Sequence, residues 1–248
     1  TNDCQNIGAF LYLYKMIKNT ICFFFVWFLV SCNPTTNSSS IKVVGQMSDV
    51  MWKGELKGNI ATDSLEGAKA YGIGPVSFLK GEIVLFEGQT FVSKVIDSVS
   101  HQVNNVPSAK APFFVYSTDS DLEVIEFKPN NYSLKELEQQ IDSMYAHYDQ
   151  PLLLRIDGEF DALQLHSVNL PQGTKVSSPE QAHQGLTQYN FNSISGSLIG
   201  FFSRHHKAVF THHDSFLHAH FISQDREVLG HIDALNFHSS KVNPQISK

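Results

Sequence analysis

The stretch FLHAHFISQDREVLGH, residues 216–231, decides how this chain is read. Phe216-Leu217-His218-Ala219-His220-Phe221 alternates apolar and histidine side chains, the period of a β-strand. Side chains two apart on a strand share a face, so His218 and His220 point the same way. Ser223-Gln224-Asp225-Arg226 is polar and turn-like, after which the chain returns through Val228 to His231. A turn centred between Gln224 and Asp225 puts His218 directly opposite His231, with Cβ atoms about 4.5–5.5 Å apart on one face. An odd-length turn would send His231 to the other face unless a bulge restored it. Three imidazoles converging on one point leave a position open for water or substrate, the arrangement a catalytic zinc requires.

A lone His-x-His on a strand is ordinarily just a polar face; the third histidine in cross-strand register is what points to Zn2+. The cupin pattern also begins with His-x-His, but the carboxylate it places four residues on is Gln224 here. His205-His206 and His212-His213 are adjacent pairs whose side chains diverge in extended chain, so they read as solvated loop. The histidines are concentrated: of twelve, eight fall between His205 and His238. A net charge of −6 and a pI near 6.0 argue against a basic nucleic-acid binder. An apolar content of 42% over 248 residues supports a folded core and excludes disorder as the main state.

Outward from the hairpin, residues 194–202, 216–222 and 228–235 read as strands, as do 76–79, 82–86, 90–95, 113–117 and 122–127. Residues 152–156 and 160–166, joined by Asp157-Gly158, read as a β-hairpin, since Asp-Gly suits a type I′ turn. Ser133-Leu134-Lys135-Glu136 is a capping box with Leu137, Ile141 and Met144 as the apolar stripe behind it. Ser178-Pro179-Glu180 starts a short helix, and Asp63-Ser64 caps another over 65–70, ended at Gly72. Strands dominate and helices are few, so the expected class is α+β with largely antiparallel sheets and a metal site on a C-terminal β-hairpin.

Cys4, Cys22 and Cys32 are the three cysteines, so nothing beyond residue 32 can be a disulfide or thiolate metal site. Lys15, Met16 and Lys18 precede the apolar run ICFFFVWFLV, residues 21–30, and then Ser31-Cys32. A basic start and a short apolar run describe a secretory signal peptide, and the run is too short for a membrane span. The residues before Met16 read as translated upstream sequence. Leu29-Val30-Ser31-Cys32 is similar to a bacterial lipobox, which implies acylation of Cys32 and a lipid-anchored protein of the cell envelope. The expected organisation is a leader over 1–31, a lipidated polar tether over 32–41 and one domain over 42–248.

With the hairpin in view, the chain resembles the α-acetolactate decarboxylase family from about Ser48 to Phe237. The matching pieces are Gly72-Ile73-Gly74, Leu79-Lys80-Gly81-Glu82-Ile83-Val84 and Leu154-Arg155-Ile156-Asp157-Gly158-Glu159-Phe160. They continue with GSLIGF at 196–201, His218-Ala219-His220-Phe221 and Gly230-His231-Ile232-Asp233. Their order and spacing, including ten residues between His220 and His231, make the match specific. The resemblance implies zinc on His218, His220 and His231, an active-site arginine at Arg155 and an active-site glutamate at Glu82. Pro75 stands where the family usually has threonine. A second family glutamate near the C-terminus has no counterpart after Asp233, so Glu55 or Glu159 is the expected substitute. The implied reaction is decarboxylation of 2-acetolactate, a small 2-hydroxy-3-keto acid, to acetoin and CO2. Zinc would act as a Lewis acid, Arg155 would hold the carboxylate and Glu82 would deliver the proton. The alternative is a non-catalytic metal- or ligand-binding lipoprotein that keeps the fold, which the missing glutamate would favour. A homodimer is compatible with either reading.

Overall fold

The computed structural model describes residues 40–65 and 67–248. The leader, the lipobox cysteine and most of the tether lie outside the described residues. The first half holds β1 (Ile41–Val44), helix α1 (Met47–Lys53), β2 (Ile60–Ala61), β3 (Tyr71–Pro75) and β4 (Glu82–Phe86). It continues with β5 (Gln89–Val95), β6 (His101–Val106), β7 (Lys110–Ala111), β8 (Phe114–Ser117) and β9 (Glu123–Val124). The second half holds β10 (Asn131–Ser133), α2 (Leu134–Met144), β11 (Leu152–Ser167) and α3 (Pro179–Ala182). It ends with β12 (Thr187–Phe202), β13 (Leu217–Ser223), β14 (Leu229–His238) and β15 (Val242–Ser247). The class is α+β with antiparallel sheets and short helices, as expected. Among the described residues no helix is long and apolar enough to cross a membrane.

Two sheets carry the architecture. One has six strands in the order β1-β8-β3-β4-β5-β6. The other runs β10-β14-β13-β12-β11-β15-β9, and an extra β14–β11 ladder closes β11, β12, β13 and β14 into a ring. Alternate side chains of the ring strands form one core: Leu154, Ile156, Phe160, Leu198, Phe221 and Phe237, with Leu137 and Ile141 of α2. The opposite faces of the same strands carry Leu153, Ile199, Phe201, Ile222 and Leu229, which pack on Tyr71, Ile73, Val84, Phe91 and Val115 of the six-stranded sheet. Each fully buried Leu, Ile or Phe contributes about 1.5–3 kcal/mol, so this second layer fixes how the sheets face each other. The histidines of β13 and β14 lie on that facing side.

Several local expectations are corrected. Asp157-Gly158 is not a turn: β11 runs unbroken through it, paired with β12 on one side and β15 on the other. The glycine serves close approach instead. A Cβ there would sit 2.3 Å from the Lys241 carbonyl oxygen and 2.7 Å from the Val242 Cα. The expected helix over 65–70 is absent among the described residues there; a single 3-10 turn at Thr62–Ser64 is followed by bends and a turn. Residues 76–79 are likewise a 3-10 turn, Ser77–Leu79, with Phe78 and Leu79 at φ of 61° and 51°. Of 122–127 only Glu123–Val124 is strand. The capping box at Ser133 and Glu136 is present in both directions, and α2 buries Leu137 and Ile141 behind it.

Gly81 closes the β3–β4 connection at φ +125°, where a Cβ would lie 1.9 Å from the Ser93 carbonyl oxygen. Gly81→Ala is therefore expected to destabilise the domain by about 1–3 kcal/mol through backbone strain and overpacking. A urea titration would show this as a lower midpoint at unchanged slope. An unchanged midpoint would refute it.

Candidate active site

The β13–β14 hairpin differs from its sequence reading by two residues. His231 pairs with His220, not His218, and Ile222 pairs with Leu229. The turn is a four-residue loop, closed by Ser223 N–H donating to the Val228 carbonyl at 2.9 Å. The Ser223 hydroxyl accepts from Val228 N–H at 2.9 Å and Glu227 N–H at 3.1 Å, and Arg226 takes a φ of +64°. These bonds centre the loop between Asp225 and Arg226, one residue beyond the expected centre. A shift of two residues preserves the face of a strand, so His231 stays on the side of His218 and His220.

Each of these three histidines can offer a ring nitrogen within 4.8 Å of the others. Their exposures are 2% for His218, 1% for His220 and 7% for His231, so the cluster is dry. Burial, reinforced by the neighbouring rings, holds His218 and His231 well below the ordinary imidazole range. Burial first, and the electrostatic influence of the His166 ring, bring His220 down to about 3. Neutral imidazole is the form that ligates a metal. The Nδ1 of His220 lies 3.1 Å from the Ile83 carbonyl, which anchors one ring nitrogen and leaves Nε2 to the cavity. Three buried, neutral, convergent imidazoles, one of them oriented by a backbone carbonyl, fit a divalent ion.

Glu82, at the start of β4, faces this cluster from the opposing sheet. Its Oε1 accepts from Val168 N–H at 3.1 Å, and its Oε2 lies 3.7 Å from His220 Nε2. Burial pushes the carboxyl up to about 7, against the opposing electrostatic pull of the His166 ring and the Val168 N–H. A small cavity of about 30 Å³ is lined by Glu82, His166, His218 and His231, with Pro75, Leu79, Phe113 and Val168 among its apolar walls.

Two residues at this cluster were missed in the sequence. His166 of β11 is the cross-strand neighbour of His231, with ring centroids 4.5 Å apart. Its Nδ1 lies 2.6 Å from Oδ1 of Asp233. Asp233 is the extra residue of a β14 bulge, where the β11 register jumps from Leu165↔Ile232 to Gln164↔Ala234. No local pattern marks His166, because the β14–β11 ladder that brings it in joins strands more than 60 residues apart. The loop histidines divide. His205 and His213 are exposed as expected, but His206 and His212 are half-buried, and His212 reaches the cluster.

Arg155 is not brought to the histidines. Across the ring, Ile199 separates it from His220. Its Nε donates to Asp157 at 2.8 Å, and its Nη1 donates to Glu87 at 2.7 Å and Tyr71 Oη at 2.8 Å. The guanidinium also lies 4.8 Å from the Phe86 ring centroid. It lines a different cavity, shared with Glu159. Glu159 bonds Lys241 at 2.9 Å and Ser193 at 3.1 Å, and Glu55 is exposed just after α1, so neither substitute carboxylate lines the histidine cavity. With these contacts, Arg155→Ala is expected to cost about 2 kcal/mol of stability through lost charge-assisted bonds while changing turnover less than about threefold. Parallel denaturation and steady-state assays check this; a collapse of turnover at unchanged stability would return Arg155 to the chemistry.

A family model described as alpha-acetolactate decarboxylase matches residues 44–248. The alpha-acetolactate decarboxylase of Bacillus subtilis (strain 168) is 27% identical over 199 residues, 78% of this chain and 73% of that protein. That of Brevibacillus brevis is 24% identical over 228 residues, 88% of this chain and 73% of that protein. In three dimensions, the crystal structure of alpha-acetolactate decarboxylase from Bacillus subtilis strain 168 shares the fold. Its TM-score is 0.68 at 23% identity, over 84% of each chain. A Staphylococcus aureus protein of unknown function, described as similar to alpha-acetolactate decarboxylase, has a TM-score of 0.68 at 16% identity, again over 84% of each chain.

Proposed function

This chain belongs to the alpha-acetolactate decarboxylase family, a family of carboxy-lyases, and on that premise we propose that it converts 2-acetolactate to acetoin and CO2 with one zinc ion. The observation that carries the reading is the meeting of two elements from opposing sheets. Three buried histidines of β13 and β14 converge, and the buried Glu82 carboxyl faces them at 3.7 Å from His220.

Loss of CO2 leaves an electron pair that must pass into the neighbouring carbonyl. A zinc ion held by His218, His220 and His231 would supply the Lewis acidity that makes this favourable. The protein's own groups do the rest. Apolar walls from Leu79, Phe113 and Val168 exclude water, which strengthens each electrostatic contact inside. Glu82 is fixed through Oε1 by Val168, so Oε2 is the atom that can hold a proton and deliver it to carbon. Burial leaves that carboxyl partly protonated near neutral pH, where an ordinary glutamate would be ionised. With Arg155 elsewhere, His166 takes the place of the polar group beside the reacting atoms. Its bond to Asp233 fixes the ring and favours a proton on Nδ1, the carboxylate–histidine arrangement that orients a ring at a catalytic centre.

Metal analysis of the full chain, followed by an acetoin assay with acetolactate, tests the proposal. One zinc per chain and acetoin formation are expected. Metal-loaded protein that releases no acetoin would reduce it to a binding protein on this fold. The lipobox reading completes the proposal by placing the enzyme on the cell envelope. Mass spectrometry of the membrane fraction is expected to find the lipid on Cys32, and an unmodified Cys32 there would refute anchoring.

A further inference from the structure

We propose that the preferred substrate is a 2-hydroxy-3-keto acid carrying a larger apolar group than the methyls of acetolactate, held in a second cavity that adjoins the histidine cluster. The proposal rests on the decarboxylase reading above and narrows its substrate class. The histidine cavity, at about 30 Å³, is on the scale of one water molecule in the liquid. It takes the atoms that touch the metal and little else, so the rest of a substrate must lie outside it. An outer cavity of about 380 Å³ offers that space. Met47, Met51, His183 and His212 line both, so the two meet along this rim. Small-molecule pockets run from about 300 to 1,000 Å³, and two methyl groups would leave this one mostly empty.

The walls favour an aliphatic or aromatic group. Met47, Met51 and Trp52 come from α1, and the two methionines, four residues apart, share one helix face. Thioethers adapt to irregular apolar shapes, and an indole packs well on another ring. Trp52 is 58% exposed, apolar surface that a bound substituent would take out of water. Glu180 places a negative charge on the outer wall, so the substrate's own carboxylate belongs at the metal end and its apolar end outside. The cavity is also preformed. Met47 N–H donates to the Val209 carbonyl at 2.8 Å and Ser48 N–H to the Ala208 carbonyl at 2.9 Å. These bonds join α1 to the segment between β12 and β13, which supplies the facing wall through Ala208 and His212.

The test compares acetolactate with two analogues on the full-length zinc protein. In one a benzyl group replaces the methyl on the hydroxyl-bearing carbon, and in the other it replaces the methyl on the ketone. At least one analogue is expected to exceed acetolactate in kcat/KM by about tenfold, the scale on which a filled apolar pocket discriminates. Trp52→Ala strips the outer cavity and Ser48→Leu fills it, both away from the histidines, and each should lower the ratio of analogue to acetolactate kcat/KM about tenfold. Trp52 is mostly exposed, so its replacement should leave the fold intact. The matching 2,3-dihydroxy acids lack a ketone to receive the electron pair, keep their carboxylate and report binding alone. By calorimetry the benzyl form should bind about tenfold tighter than the methyl form, and Trp52→Ala should erase the difference. Acetolactate turned over at least as well as both analogues, or a ratio untouched in both variants, would overturn the proposal and leave the decarboxylase reading standing. Zinc-loaded protein that decarboxylates none of the three acids would overturn both.

Discussion

Glu82→Gln is expected to lower turnover of acetolactate by about 10²–10⁴-fold with metal content unchanged, the range general acid–base catalysis contributes. Glutamine keeps the size of the side chain, and its amide oxygen can still accept from Val168 N–H, so the β4 start should hold its place. What disappears is the proton on the second oxygen, the one beside His220. The loss should appear in kcat more than in KM, because proton delivery belongs to the chemical step. Turnover within threefold of the parent, with zinc in place, would exclude Glu82 as the donor.

Stripping the metal should produce the largest change in stability. A ligand present at about 1,000 times its dissociation constant stabilises the folded state by about 4.1 kcal/mol. For a domain of this size that corresponds to a fall of roughly 8–16 °C in melting temperature. Chelator-treated and zinc-restored protein compared by calorimetry would show it, and coincident melting curves would refute it. The metal-free protein should also be sensitive to acid. His218, His220 and His231 have folded pKa values below the ordinary histidine value of 6.5, so the unfolded chain binds more protons below that pH. Their contribution is complete above 6.5 and is lost progressively as pH falls from there toward the lower folded values. Glu82, raised from 4.5 to about 7, acts in the opposite sense as pH rises, one group against three.

The parts of this molecule legible in its sequence are those set by neighbours along the chain. His218 and His220 share a face because they are two apart on a strand, and Ser133 with Glu136 caps α2 because three residues separate them. β4 spans Glu82–Phe86, the residues its sequence pattern predicts. The errors came where distant strands decide. Asp157-Gly158 has the chemistry of a turn, yet β12 and β15 flank it and hold it extended. α1 was not anticipated, since seven residues give barely two turns; its one clear signal is Gly54, left-handed at the C-terminal cap. Arg155 was assigned from a motif, and only the lateral order of strands shows Ile199 lying between it and the histidines. His166 was invisible for the converse reason, being ordinary in its own strand and placed by a ladder that closes the ring.

That ladder has a kinetic meaning. His231 is the residue at which β14 meets both β13, through His220, and β11, through His166. The hairpin of β13 and β14 can form early, since its ends are close in sequence, but the β14–β11 seam must wait for a much longer loop to close. The three metal ligands all lie on that hairpin, so the seam adds His166 beside a ligand set that local pairing can already assemble. Parting the strands at His231 opens the cluster without melting the Phe160–Phe221–Phe237 core, a sub-global opening of lower free energy than full unfolding. The rate at which the ion leaves should therefore track amide exchange along β14 near His231, and be far faster than exchange in the core of the ring.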